Sequence, residues 1–318
     1  IEMNNKFKKV WQTIKNPYRL IVFSCFEPFT KYIPDELYLK IRYKAYMGKR
    51  LDLNSPITMN EKLQWLKLYD RNPKYVDLVD KYTVKKVMAE KIGKEHIIPT
   101  LGVWEKFDDI NFDKLPNKFV LKCIHDSGGV IIVEDKYKID KDLIKRKLEK
   151  CLKSNFYYSV REWPYKEVHP RIIAEEYKTD SPDSVDFTDY KFYCFNGQVD
   201  CVLVCLDRSS GDTKFYFFDK DWNLKRYNKR GIEAPEGFTI PKPKHLNEMF
   251  ELAATLSQGF SFVRVDLYDT VDCVYFGELT LYPDSGTDPN RSLEIDNYFG
   301  SLIDLSLAYQ SQSNSVED

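Results

Sequence analysis

Apolar positions recur at helical spacing through the first hundred residues and change to strand-like runs beyond them. "PDELYLKIRYKAYMG" reads as a helix with Asp35 as its N-cap and Gly48 as its C-terminal stop. "TMNEKLQWLKLYD" opens with Thr58 and Glu61 at capping-box spacing, and "DKYTVKKVMAEKIG" ends at Gly93. From "HIIPTLGVW" onward strands dominate, interrupted by one long helix at "DKDLIKRKLEKCLKS". Past residue 170 come "RIIAEEY", "TDYKFYCFNGQVDCVLVCLDR" and "TKFYFFD", then a helix at "KHLNEMFELAATLSQ" and the hairpin "FVRVDLYDTVDCVYFGELT". Asn196–Gly197 is the strongest hairpin turn in the chain. This alternation predicts an α+β fold with mainly antiparallel sheets, and residues 310–318 read as a polar, disordered tail.

Composition adds a size and a partner class. The 318 residues suffice for two or three subdomains with a substantial core, and 43% hydrophobic with 31% charged residues is the balance of a soluble globular chain. Net charge is −1, yet residues 1–50 hold eleven Lys and Arg against four Asp and Glu. A basic arm calls for an anionic partner: a lipid headgroup, an acidic glycan or a nucleic acid. "NKFKKVWQTIKNPYRLIVF" suits either a helix packed on the body or a peripheral membrane contact. No segment reads as a secretory signal or a bilayer span, and Met3 is read as the natural start. The seven scattered cysteines form no CxxC pair and the four histidines lie far apart, so buried thiols in a reducing cytoplasm are expected rather than a zinc site.

The last hairpin poses a chemical question, because Asp266 and Glu278 stand where apolar residues are expected. With a three-residue loop at 270–272, Asp266 faces Phe276 and Glu278 lies diagonally beyond, on the same side as Arg264 and Thr280. A two-residue loop would send Glu278 to the opposite side. Two carboxylates and a hydroxyl without soft ligands suit a hard cation such as Mg²⁺; an exposed face neutralised by Arg264 is the alternative.

A second hairpin carries a different signal. Lys118–Ile124 and Val130–Glu134 read as strands joined by "HDSGG", where Gly128 and Gly129 let backbone N–H groups turn towards an anion, with Lys122 nearby. Glycines also serve ordinary hairpin turns, and neither GxxxxGK[ST] nor a helix-opening GxGxxG is present. His125 is read as ordering this loop. "IIAEEY" ends a strand in two acids and an aromatic, and "DYKFY" places Lys191 on a strand.

In this order, "VLKCIHDSGGV", "IIAEEY", "DYKFY", "RVDLY" and "GELT" resemble the ATP-grasp superfamily, and most of all its TupA-like branch, associated with teichuronopeptide and capsule biosynthesis. The resemblance runs from about Lys81 to Gly286 and implies a nucleotide held between two mainly antiparallel α+β subdomains. The implied layout is a helical region over 1–94, a lid subdomain over 95–180 and a metal-bearing subdomain over 181–309. It further implies ATP and Mg²⁺, with Lys81, Lys122, Ser127, Gly128, Gly129, Glu175, Glu176, Tyr177 and Lys191 around the nucleotide. Arg264 and Lys191 would stabilise the transferring phosphoryl group, and Asp266, Glu278 and Thr280 would hold the metal. Thr280 departs from the asparagine common at that position, which leaves a weaker oxygen donor.

The implied activity is an ADP-forming carboxylate–amine ligase in the cytoplasm or at the inner face of the membrane. Its substrates would be an acidic glycan or lipid-linked sugar and an amino acid or amine, with no nucleic acid. Three other readings stand beside it: a metal-dependent glycosyltransferase using the DxD of Asp219–Asp221, an ATP-grasp sugar kinase, and a non-catalytic glycan binder. Arg291, Ser285 and Trp163 are read as structural rather than as substrate contacts.

Overall fold

The computed structural model describes residues 18, 22, 30–126, 128–180, 188–207 and 212–308. Most of the basic N-terminal arm and the tail 310–318 therefore lie outside the described residues. Four helices come first: α1 (Asp35–Met47), α2 (Met59–Tyr69), α3 (Tyr75–Val79) and α4 (Thr83–Ile92). The capping box at the start of α2 forms as its spacing predicts, with Thr58 accepting from the Glu61 N–H and Glu61 returning to Thr58. Gly48 ends α1 in the left-handed region, φ 71°. Asp35 is not the N-cap of α1; Pro34 holds that position. The Asp35 carboxylate instead accepts the Tyr157 hydroxyl at 2.6 Å and pairs with Arg161 at 3.1 Å, tying α1 to a distant turn.

Two antiparallel sheets follow. The smaller comprises β1 (Thr100–Trp104), β2 (Phe119–Cys123), β3 (Ile131–Val133) and β4 (Ile172–Glu176), in the order β1-β4-β2-β3. The glycine-loop strands are thus shorter at both ends than their sequence pattern predicts. Between β3 and β4 come α5 (Lys141–Leu152) and α6 (Phe156–Val160). Alternate residues of this sheet, among them Phe119, Leu121, Ile172 and Ala174, pack against Ile144 and Leu148 of α5. That leaves Lys122, Ile173 and Glu175 on the other face.

The larger sheet contains β5 (Asp189–Phe195), β6 (Gln198–Leu206), β7 (Lys214–Phe218), β8 (Leu224–Lys225), β9 (Phe262–Asp269) and β10 (Val274–Thr280), in the order β10-β9-β5-β6-β7-β8. α7 (Lys229–Glu233) and α8 (Leu246–Leu256) interrupt the strands, and α9 (Leu293–Leu302) closes the described chain. Asn196 and Gly197 both take positive φ, 50° and 79°, as the predicted β5–β6 hairpin requires. α8 covers one face of this sheet, with Phe250 edge-on to Phe192 at 5.1 Å. The face bearing Lys191 and Asp266 is turned towards the small sheet and α4. No helix among the described residues is long and apolar enough to cross a membrane.

Candidate active site

The β9–β10 hairpin answers the question of its acids with two departures from simple pairing. Its loop has four residues, Thr270–Cys273, so Asp269 pairs with Val274 and Leu267 with Phe276. Continued unchanged, that register would turn Glu278 away from Asp266. A bulge at Gly277 absorbs one residue, and Glu278 lands directly opposite Asp266 with Thr280 opposite Arg264. The expected Asp266–Phe276 opposition is therefore corrected, while the shared face of Asp266 and Glu278 holds. A Cβ at Gly277 would sit 3.0 Å from the Asp266 carbonyl oxygen, which explains the glycine.

β5 extends the polar face by another strand, because Lys191 pairs with Asp266 and Tyr193 with Arg264. Asp266, 1% exposed, accepts from Arg264 Nε and Nη2 at 2.7 Å each, and also from the Lys191 ammonium. Burial pushes the Asp266 carboxyl up, but Arg264 and Lys191 overcome it and hold the group below the ordinary carboxylate range. Lys191 also lies 3.4 Å from Asp189. Burial opposes its charge, and Asp266 together with Asp189 raises its pKa nonetheless. The Glu278 side chain is 48% exposed, 3.4 Å from Arg264 Nη2, and Thr280 Oγ1 accepts from that same nitrogen at 2.9 Å.

Across the gap, Glu175 of β4 is held between two ammonium groups: Lys122 of β2 at 2.5 Å, and Lys85 of α4. Desolvation favours the neutral Glu175 acid; the two lysines outweigh it and lower its pKa. Lys85 is itself shifted down, burial prevailing over Glu175. Between these two polar walls lies a cleft of about 350 Å³, within the range of small-molecule sites. Val84, Ile97, Ile98 and Phe276 give it an apolar side. Gly128 borders it with φ 111°, and Gly129 follows at φ 67°, so the loop adopts the backbone that its glycines permit.

The structure brings Lys81, Lys122, Gly128, Glu175, Lys191, Arg264, Asp266 and Glu278 around this one cleft. Lys81 also reaches back to the glycine loop, donating to the Asp126 backbone carbonyl, with the Asp126 carboxylate at 3.5 Å. Ser127 lies outside the described residues. Glu176 and Tyr177 do not point into the cleft: their side chains border a separate shallow depression, and Glu176 pairs with Lys178 at 2.8 Å. Strand alternation turns Glu176 to the side opposite Glu175, and Tyr177 lies beyond the end of β4. His125 is buried, its Nε2 3.1 Å from the Cys151 carbonyl, as a loop-ordering role expects. Lys85, Asp189 and the Ile97–Ile98 pair were not singled out from the sequence; Lys81 lies in the turn before α4 and Lys85 within its first turn.

The donor set of Asp266, Glu278 and Thr280 is hard oxygen, which fits a magnesium ion completed by water and phosphate oxygens. Both Asp266 oxygens are taken by cationic side chains, so Glu278 is the carboxylate with coordination capacity to spare. No third acidic, histidine or cysteine side chain joins it in a metal-type group among the described residues. The DxD of Asp219–Asp221 is a turn: Asp219 Oδ1 accepts the Asp221 and Asn223 N–H groups, and Oδ2 accepts from the Asn223 amide. Trp163 donates to the Asp70 carbonyl, and Arg291 pairs with Asp288 and Asp296, both contacts internal to the fold.

The sequence model of the TupA-like ATPgrasp family matches residues 61–304. D-alanine–D-alanine ligase from Bacillus anthracis, complexed with ATP, aligns at TM-score 0.42 and 18% identity over 76% of this chain and 67% of that one. The enzyme of the same name from Helicobacter pylori aligns at 0.39 and 17%, over 79% and 68%. The ATP-grasp ligase PsnB, complexed with a minimal precursor, aligns at 0.40 and 11%, over 87% and 76%. No functionally curated protein matches the chain.

Proposed function

Since the chain belongs to the TupA-like ATP-grasp family, we propose that it is an ATP-dependent ligase that joins a carboxylate to an amine. The carboxylate would be a uronic acid on a surface glycan or its lipid-linked precursor, and the amine an amino acid or another primary amine. The observation that carries the reading is the opposition of two charge clusters across one cleft: Lys85–Glu175–Lys122 on one wall and Arg264–Asp266–Lys191 with Glu278 on the other. The choice of a uronate rests on the family resemblance and the basic N-terminal arm.

In this mechanism a carboxylate oxygen attacks the γ-phosphorus of ATP and ADP departs. The amine then attacks the acyl carbon of the resulting acyl phosphate, phosphate leaves with the bonding electrons, and the amine proton passes to solvent. No protein nucleophile is required, so the residues act by position and charge. Lys122 and Lys85, gathered on Glu175, supply positive charge for phosphate oxygens, and the apolar side suits a purine. Arg264 and Lys191, fixed by Asp266, face the transferring group. A magnesium ion held by Glu278 and Thr280 would shield the phosphate oxygens. Closure of the loop at Gly128 and Gly129 would exclude water from the acyl phosphate.

The test is product analysis. ADP and phosphate should form together, only when ATP, Mg²⁺, a uronate and an amine are all present. ADP without phosphate would indicate a sugar kinase, and UDP or GDP released from a sugar donor a glycosyltransferase. Asp266→Ala and Glu278→Ala should each abolish turnover; unchanged turnover in both would remove the metal assignment.

A further inference from the structure

Beside Glu278 the cleft has a recess of about 20 Å³, room for one or two heavy atoms, bounded by Lys81, Glu278 and Tyr165 with Leu78, Val79 and Val84. Tyr165 comes from neither sheet. It lies on the turn Trp163–Lys166, which is fixed from several sides. The Trp163 indole donates to the Asp70 carbonyl at 2.9 Å. Just before it, Glu162 accepts the Ser285 hydroxyl at 2.5 Å. Pro164 pre-sets the backbone, and the Tyr165 N–H donates to the Glu162 carbonyl at 3.2 Å. The ring rests edge-on against Phe156 at 5.1 Å. A turn anchored this firmly presents its aromatic side chain in one orientation.

The hydroxyl has no hydrogen-bond partner among the described residues. It is a donor that no other described residue engages, beside a lysine. A half-buried phenol of this kind, in a recess shared with the phosphate-facing residues, is placed to receive an anionic oxygen.

We propose that Tyr165 is a substrate-contact residue whose hydroxyl donates a hydrogen bond to the carboxylate of the uronate in the recess between Lys81 and Glu278. This rests on the ligase reading above and adds the residue that recognises the acid. The recess takes one oxygen of the carboxylate; the rest of the acid and its sugar extend into the wider cleft. Phenol and ammonium together distinguish the uronate from the corresponding neutral sugar.

The test is calorimetric titration of D-glucuronate, and of D-glucose as its neutral counterpart, into protein loaded with Mg²⁺ and the non-hydrolysable analogue AMP-PNP. Tyr165→Phe removes only the hydroxyl. It should weaken D-glucuronate binding tenfold or more, leave AMP-PNP affinity within twofold and keep the thermal midpoint of the wild type; D-glucose should bind neither protein. Equal D-glucuronate affinity in the two proteins, binding of D-glucose as tight as that of the acid, or a nucleotide-loaded wild type that takes up no D-glucuronate would each overturn the proposal while leaving the nucleotide site standing. Failure of the wild type to bind AMP-PNP would sink the ligase reading itself, and this proposal with it.

Discussion

Replacing Gly277 with alanine tests the geometry on which the metal-facing edge depends. The new Cβ would lie 2.9 Å from Tyr268 Cε2, 3.2 Å from Tyr268 Cζ and 3.0 Å from the Asp266 carbonyl oxygen. The Tyr268 ring end can swing aside, but the Asp266 carbonyl belongs to a strand paired on both sides. Relief must come from β10, which would move outward by a few tenths of an ångström. Overpacking of this kind costs about 1–3 kcal/mol. The displaced residue next in sequence is Glu278, and small misplacements of a catalytic group reduce rates by about tenfold to a hundredfold. Urea unfolding and ADP release, measured on one preparation, should show both losses. A Gly277→Ala protein as stable as the wild type would refute the packing argument. One destabilised as expected but with full turnover would refute the link between the bulge and Glu278.

Three further outcomes follow from the buried charges and the turn beyond β10. Glu175→Gln leaves Lys85 and Lys122 without their shared anion, and should reduce unfolding free energy by about 3 kcal/mol in denaturant. Asp266 and Glu175 both have folded pKa values below their unfolded ones, so their stabilisation is present above pH ~4 and is lost as pH falls through the lower folded values. Acid unfolding followed by circular dichroism should therefore be less steep in an Asp266→Asn, Glu175→Gln double variant than in the wild type. Gln64 of α2 donates to the Ser285 and Gly286 carbonyls at 2.8 and 2.6 Å, and it holds a turn in which Asp284, Ser285 and Gly286 all have positive φ. Gln64→Ala should destabilise by about 1–3 kcal/mol in the same urea assay.

The sequence was most informative where one residue type has one physical use. Thr58 with Glu61, Gly48 and Asn196–Gly197 appear in the roles their chemistry dictates. The acidic hairpin shows why registers are harder. A three-residue loop without a bulge and a four-residue loop with one leave Glu278 on the same face, so alternation alone could not choose between them. Asp35 reads locally as an N-cap, but its long-range partners Tyr157 and Arg161 gave it another role. Glu176 could have been set aside from strand parity once Glu175 was assigned to the cleft, whereas Tyr177, two residues on, could not. Tyr165 was not legible, because its place depends on Trp163, Glu162 and Phe156 meeting partners far along the chain.

The central proposal is that the cleft between the two sheets binds ATP with magnesium through Lys122, Glu278 and Thr280. Calorimetric titration of ATP, with and without Mg²⁺, into the wild type and a Lys122→Met variant measures this most directly. The account predicts one saturable, Mg²⁺-strengthened site per chain in the wild type and at least tenfold weaker binding in the variant. No binding at millimolar ATP, or equal affinity in both proteins, would contradict it.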